Sequence, residues 1–395
     1  MPAGERRNVL LLAACQALTL SAVVLSMTLA GILGAALATD RGWATAPIAA
    51  MVIGTAIASL PASFLMRRIG RRNGFLVGAT VGFAGSVVAA AALHAGSFWL
   101  FVFGHLLIGA WQGFGNYHRF AAAEAVDERQ ANRAISWVVA GGVVAAFAGP
   151  QIGLWGRDWI PPPAFLGSYV AQSALALAAM LLLSRLRLPR RATPSDGDIR
   201  PLRALAAQPE LIAAVLGAAV GYAVMILAMT ATPLAMLGCG FGAGEVKPVI
   251  QWHVVGMFAP SFFTGALVAR HGASRIMQAG FALLLGHVAV AAAGVEWLHF
   301  LGALLLLGVG WNFAFVGGTA LLTRSYRPAE QAKVQALNEA AVFSLVALAS
   351  LGAGWMYDRF GWTTLNLATV PLLLLALATT VMIDRRPRRE LATPA

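Results

Sequence analysis

Charge is what this chain has least of. Asp, Glu, Lys and Arg make up 11 % of its 395 residues, under half the share usual in a soluble domain, so a solvated surface of ordinary extent is excluded. Cysteine is scarcer still, with only Cys15 and Cys239. One falls early in the first apolar run and the other at the far end of the seventh, too far apart to be bridged, and two thiols are expected. No nucleophile and base pair and no phosphate-binding loop occurs, which leaves an enzymatic role without support. The first apolar run ends without a small-residue cleavage pattern, so it reads as a first span and not as a removed signal.

What is abundant is apolar sequence: 59 % of residues are hydrophobic and mean hydropathy is +0.75. Twelve runs long enough to span a bilayer lie near 9–33, 44–66, 74–94, 97–117, 134–155, 164–184, 209–236, 246–269, 275–295, 297–322, 333–356 and 362–383. The expectation is an all-α membrane protein of twelve transmembrane helices, with the lipid bilayer as its surroundings. The formal net charge of +12 does not point to nucleic acid, because the basic residues follow the loops. With the N-terminus inside, all but four of the 28 Lys and Arg residues (Arg41, Arg157, Lys247 and Arg359) fall in segments on that side, Arg119, Arg129 and Arg133 being counted together as one loop. The positive-inside rule then puts both termini in the cytoplasm.

The halves repeat. At an offset of 202 residues Ser26-Met27-Thr28 falls on Ala228-Met229-Thr230, Gly54 on Gly256, Arg68 on Arg270 and Gly70 on Gly272. Orientation is preserved over six spans, as in the parallel repeat of major facilitator transporters. The expected organisation is an N-terminal six-helix bundle over 1–184, a basic, proline-containing cytoplasmic linker over 185–208, and a C-terminal six-helix bundle over 209–395. Leu65-Met66-Arg67-Arg68-Ile69-Gly70-Arg71-Arg72 and Gly265-Ala266-Leu267-Val268-Ala269-Arg270-His271-Gly272 resemble the loop signature of that superfamily. Arg67 and Ala269 stand where its aspartate would be, which puts the aspartate's charge-relay latch in doubt.

Ionisable groups inside a membrane are functional candidates by default. Asp40, Asp158, Glu245, Glu296 and Asp358 fall near the outer ends, Glu339 lies one or two turns into the eleventh run, and no acid sits clearly at the midplane. Histidines lie deep instead. His105 and His287 lack a partner at helical spacing and read as packed, hydrogen-bonded groups. His253 differs, because Met225/Met229 and His253/Met257 are each four apart, a spacing that stacks two side chains on one helix face. Met229 and His253 lie roughly 10 Å, and Met225 and Met257 roughly 16 Å, below the outer helix ends at 1.5 Å per residue. Three thioethers and an imidazole form a soft set suited to Cu(I). Chance placement of ordinary membrane methionines is the competing account. The first half carries a partial copy, with Met27 at the place of Met229 and Met51 at that of His253, as accessory ligands.

Two further features stay open. Trp111, Gln112 and Asn116 in the fourth run, and Trp311 and Asn312 in the tenth, are either the lining of a cavity for a flat organic solute or packing and interface residues. Gly149-Pro150 in the fifth run is similar to a signature of proton-coupled drug exporters, but small residues there also serve close helix packing.

Met-x-x-x-Met in the seventh run with His-x-x-x-Met in the eighth resembles the CcoA-like copper importers of bacteria, within the major facilitator superfamily. The resemblance implies uptake of copper, as the ion or a chelate, across the bacterial inner membrane by alternating access, with no prosthetic group. It implies supply to a cytoplasmic copper acceptor and to assembly of a copper-containing cytochrome oxidase, and a monomer suffices. It gives Cys239 and Cys15 the roles of outer and inner metal-path ligands. Riboflavin importers are similar to the same family, so import of riboflavin or another small organic solute is the alternative, with drug/proton antiport third.

Overall fold

Lipid offers no hydrogen-bond partner to the backbone, so an apolar run can cross only as a helix that satisfies its own N–H and C=O groups. A computed structural model describes residues 1–39, 43, 46–160, 163–188 and 200–384. The middle of the linker, Asp40 with Arg41, and the basic tail from Arg385 to Arg389 lie outside the described residues. The helices are α1 (Ala3–Leu37), α2 (Ala46–Ile69), α3 (Arg71–Ala95), α4 (Phe98–Gly115), α5 (His118–Glu124), α6 (Glu128–Ala140), α7 (Gly142–Trp155) and α8 (Leu166–Ser184). The short α9 (Leu202–Ala206) follows, then α10 (Pro209–Gly238), α11 (Ala243–Phe258), α12 (Ser261–His271), α13 (Ala273–Ala293), α14 (Trp297–Thr323), α15 (Gln331–Leu367) and α16 (Val370–Asp384).

Three spans are broken helices: α4 with α5, α6 with α7, and α11 with α12. Within α15, Gly361 takes φ 74°, a left-handed conformation that costs glycine nothing, and the chain folds back there. Among the described residues eleven stretches are long and apolar enough to cross a membrane, and the last of them, Pro328–Asp384, divides at Gly361. Twelve crossings result among the described residues, all of them helical.

The first six spans pack on one another, chiefly α2 and α3 on α4 and α1 on α7, and the last six do likewise through α13 on α14 and α10 on α15. The two sets meet where α2 lies along α15 and α6 along α12. Arg67, Arg68, Arg72, Arg185, Arg187, Arg270 and Arg324 are exposed at the helix ends on one side of this assembly; we call it the basic face. One residue counted with that loop charge belongs elsewhere. Span 4 continues through α5, and Arg119 is buried inside it.

Close approach of α2 and α4 depends on missing side chains. A Cβ at Gly109 would run into the backbone carbonyl of Met51, and one at Gly54 into that of Leu106. Overpacking of this kind costs about 1–3 kcal/mol, whereas Gly352 has open space around it. Gly109→Ala should therefore lower the Tm of the purified protein by several degrees while Gly352→Ala leaves it level or raised; equal Tm values for the two would refute the packing account.

Candidate functional site

Between the two sets of spans lies a cleft lined by Gln16 and Leu20 of α1, Gln112 of α4, Asn116, Arg119 of α5, Val138 and Val139 of α6, Tyr222 of α10, Phe258 of α11, and Trp311 and Phe315 of α14. One wall is aromatic. Trp311 and Phe315, four apart on α14, stack with ring centroids 4.8 Å apart and planes at 14°. Tyr222 meets Trp311 edge-on at 5.2 Å, and Phe258 does so at 5.7 Å. The facing wall is polar. α4 ends at Gly115, so the turn at Asn116 brings that amide beside Gln112 from the turn above. Across from them the Gln16 amide oxygen faces His118 Nδ1 at 2.9 Å. Two donors in this lining, Asn116 Nδ2 and Trp311 Nε1, are buried without a hydrogen-bond partner.

Arg119 closes the floor. Its guanidinium donates to the Asn116 carbonyl at 2.8 Å, to Thr319 Oγ1 at 3.2 Å and to Glu339 Oε1 at 2.5 Å. It lies 4.5 Å from the Phe120 ring centroid and 4.4 Å from that of Phe315. Arg119 is 4 % exposed and Glu339 fully buried. Glu339 Oε1 also accepts from Asn338 Nδ2, and Oε2 has no partner. The pair joins α5 of the first set to α15 of the second.

Further hydrogen bonds join the two sets between this pair and the basic face. Arg71 holds Glu124 with two bonds, at 2.7 and 3.1 Å, and donates to Gln335 Oε1 at 2.6 Å. Gln331 donates to Glu124, and Ser63 Oγ to the Ala332 carbonyl. Nearer the linker, Arg200 makes a two-pronged pair with Glu330 at 2.6 Å, and that bonding holds the Arg200 guanidinium above its ordinary pKa. The basic side is thus shut. In this state the cleft encloses about 30 Å³, room for about two waters, so a larger solute enters only as the walls part.

The structure gathers three of the five residues expected at a cavity: Gln112, Asn116 and Trp311. Trp111 instead packs against Gly82 of α3, inside the first set. Asn312 turns toward span 8, where it donates to the Met257 carbonyl and Ser261 Oγ and accepts from Thr264. None of Met225, Met229, His253 and Met257 lines the cleft. Met225 and Met257 are core residues, and Met229 is half-buried. His253 is fully buried, with Nδ1 2.8 Å from the Leu304 carbonyl of α14 and Nε2 without a partner. Of the accessory set, Met27 is 39 % exposed and Met51 is buried against α4. Cys15 packs its sulfur 3.9 Å from the Ala179 carbonyl, and Cys239 is exposed at the end of α10; both thiols are free. His105 and His287 are hydrogen-bonded through both ring nitrogens, as packed histidines are.

Arg119, Tyr222 and Gln16 escape the sequence reading. The one available signal was Glu339, an acid one or two turns into the eleventh run, which if buried needs either a paired cation or a proton.

A polar seam beneath a cleft between two six-span sets is the arrangement of a membrane transporter. The chain belongs to the Major Facilitator Superfamily, whose model matches residues 9–259 and 248–395. It is 41 % identical over 382 residues to the riboflavin transporter RfnT of Brucella anthropi, covering 96 % of each chain. The uncharacterized MFS-type transporter YdeG of Bacillus subtilis is 30 % identical, over 86 % of this chain and 84 % of that one. In fold it resembles the Escherichia coli fucose:proton symporter FucP, with TM-score 0.78 at 16 % identity over 97 % of this chain and 100 % of that one.

If the seam keeps the basic face shut, loss of Glu124 should open it. In a Cys15→Ser/Cys239→Ser background, Gln16→Cys should react with a membrane-impermeant maleimide added to the basic face roughly tenfold faster once Glu124→Ala is introduced, as expected for loss of hydrogen bonds to a charged group. An unchanged rate would remove Glu124 from the closure.

Proposed function

We propose that this chain imports riboflavin, or a closely similar flat heterocycle, by alternating access across a bacterial inner membrane, with the basic face and both termini in the cytoplasm. The observation that carries the reading is the pairing of an aromatic wall with unpaired donors. Tyr222, Phe258, Trp311 and Phe315 offer faces and edges to a planar ring system, and Asn116 Nδ2 and Trp311 Nε1 need acceptors. An isoalloxazine presents a broad π-face and ring carbonyls. The 41 % identical relative is a riboflavin transporter, which favours the organic solute over copper.

Labelled riboflavin uptake in cells lacking their own riboflavin synthesis tests it. Stacking on an aromatic side chain is worth about 1–3 kcal/mol, so Trp311→Ala should lower kcat/KM for uptake by about tenfold or more at equal membrane abundance. Trp111→Ala should instead lower abundance with little change per molecule, since it packs on Gly82 away from the cleft. Wild-type cells that take up no more riboflavin than cells lacking the protein would end the proposal.

One observation keeps copper as the second reading. Facing a carbonyl, His253 Nδ1 carries the proton, which leaves a buried lone pair on Nε2, the arrangement usual for a metal-ligating imidazole. Copper accumulation lost in Met225→Ala/His253→Ala, with riboflavin uptake intact, would move copper to first place; the expected result is that neither copper nor riboflavin uptake depends on these two side chains.

A further inference from the structure

A second cavity lies on the basic face, backed by the bonds among Arg71, Glu124 and Gln331. It encloses about 750 Å³, within the range of small-molecule sites, and both sets of spans supply its walls. The first set brings charge: Arg67, Arg71, Arg72 and Arg187 line it against one carboxylate, Glu124. That carboxylate is already engaged, since both its oxygens accept from Arg71 and one of them also from Gln331. Arg72 gives one N–H to the Ser184 carbonyl at 2.7 Å. Asn8 ties the Arg187 main chain in place, but among the described residues the side chains of Arg67 and Arg187 have no ion-pair partner. Three guanidiniums thus share one cavity without a counter-charge, a repulsion that a bound anion relieves. α3 adds to it. Gly70, at φ 85°, precedes that helix and supplies no side-chain cap, so the positive end of a 25-residue helix borders the same space at Arg71, Arg72 and Asn73.

The second set brings no cation to the cavity. Its wall is Pro328, Ala329 and Ala332, with Gln331 already bonded to Glu124. A bare anion would therefore be held by the first set alone, and a ligand that touches both walls needs an anionic head and an apolar body. We propose that this cavity binds a phosphate monoester with an apolar body, and that its occupancy holds the basic face shut. Three unpaired guanidiniums match the near-double charge and three terminal oxygens of such a group, which a carboxylate or a phosphodiester, with one charge, does not offer. The body lies between Met66 and Leu186 of the first set and Pro328 and Ala329 of the second. As the face opens, α2 and α15 part, so the two walls stand together only in the shut state, and a ligand that needs both weights the equilibrium toward it. Neither the cavity nor its charge depends on which solute is carried. The same chemistry is available from a free ester on the basic side or from the headgroup of phosphatidic acid in the bilayer.

A measurement without solute tests the site. The full chain in phosphatidylcholine nanodiscs, at fixed ionic strength, carries dyes at Glu128→Cys and Arg324→Cys, one on each set at the basic face, in a Cys15→Ser/Cys239→Ser background. Single-molecule energy transfer between them gives the fraction of time the face is open. Phenyl phosphate, at ten times the concentration that gives half its effect, should lower that fraction about tenfold, while inorganic phosphate should leave it unchanged. Arg67→Ala/Arg187→Ala should abolish the effect. Both side chains are exposed, and comparing each variant with and without ligand cancels any change in its basal opening. Arg68→Ala/Arg270→Ala, which removes equal charge from exposed arginines outside the cavity, should keep the effect. Replacing part of the phosphatidylcholine by phosphatidic acid, with phosphatidylglycerol as the diester control, separates the two sources. Closure by phenyl phosphate but not by phosphatidic acid supports a free ester as the ligand. Closure by phosphatidic acid supports the lipid headgroup. Closure by neither, equal closure by inorganic phosphate or phosphatidylglycerol, or an effect that persists in Arg67→Ala/Arg187→Ala overturns the proposal.

Discussion

A guanidinium and a carboxylate can remain charged within a membrane bundle only in each other's company, and here one sits on each moving part. Arg119 on α5 and Glu339 on α15 are both buried, so the closed basic face is what keeps the two charges together. The cleft's geometry follows from this pair. Arg119 touches the rings of both Phe120 and Phe315 where it reaches Glu339, and Trp311 stacks against that same Phe315 ring. The aromatic wall and the polar seam are therefore not independent.

The architecture was legible because lipid enforces it: an apolar run of adequate length has no structure open to it but a helix, and loop arginines mark the basic side. The breaks were less legible. Gly361 ends span 11 through a positive φ, a property of the folded path that glycine permits without announcing. Arg119 was misplaced for a physical reason. Counting arginines at the ends of apolar runs assumes each is solvated, and a helix that continues one turn past its apolar stretch carries its arginine inside. The acid that compensates it was visible in the eleventh run, but pairing residues 220 positions apart requires knowing that α5 faces α15.

The Met and His quartet shows the converse limit. Spacing of four along a helix says which side chains share a face, not what that face meets. His253 meets α14 and gives Nδ1 to the Leu304 carbonyl, and Met257 lends its carbonyl to Asn312. Such ties are what hold α11 against α14 in a medium where apolar contact alone offers little preference for protein over lipid. The cleft residues carried a weaker sequence signal, since Gln112, Asn116 and Trp311 read equally well as packing, yet these three are at the interface. Trp111 and Asn312, their immediate neighbours, point elsewhere because adjacent helical positions face about 100° apart.

The loop signature's missing aspartate now has a physical account. With Arg67 in its place, exposed at the end of α2, that position cannot accept a bond from the opposing set. The acceptor has moved to Glu124 at the end of α5, which Arg71 fixes from its own set and Gln331 reaches from the other. The corresponding loop of the second half, with Ala269, has no such acceptor, and its contact is made by backbone proximity: a side chain at Gly265 would run into the Asn132 carbonyl and Ser136. One flank of the basic face is thus held by directional polar bonds and the other by close packing of small residues. Polar bonds exchange readily for water as the face opens, whereas close packing persists until the helices separate as bodies. Opening should consequently begin on the α2 and α15 flank, where Glu339 lies one to two turns inside the polar bonds made by Gln335, Ala332 and Gln331.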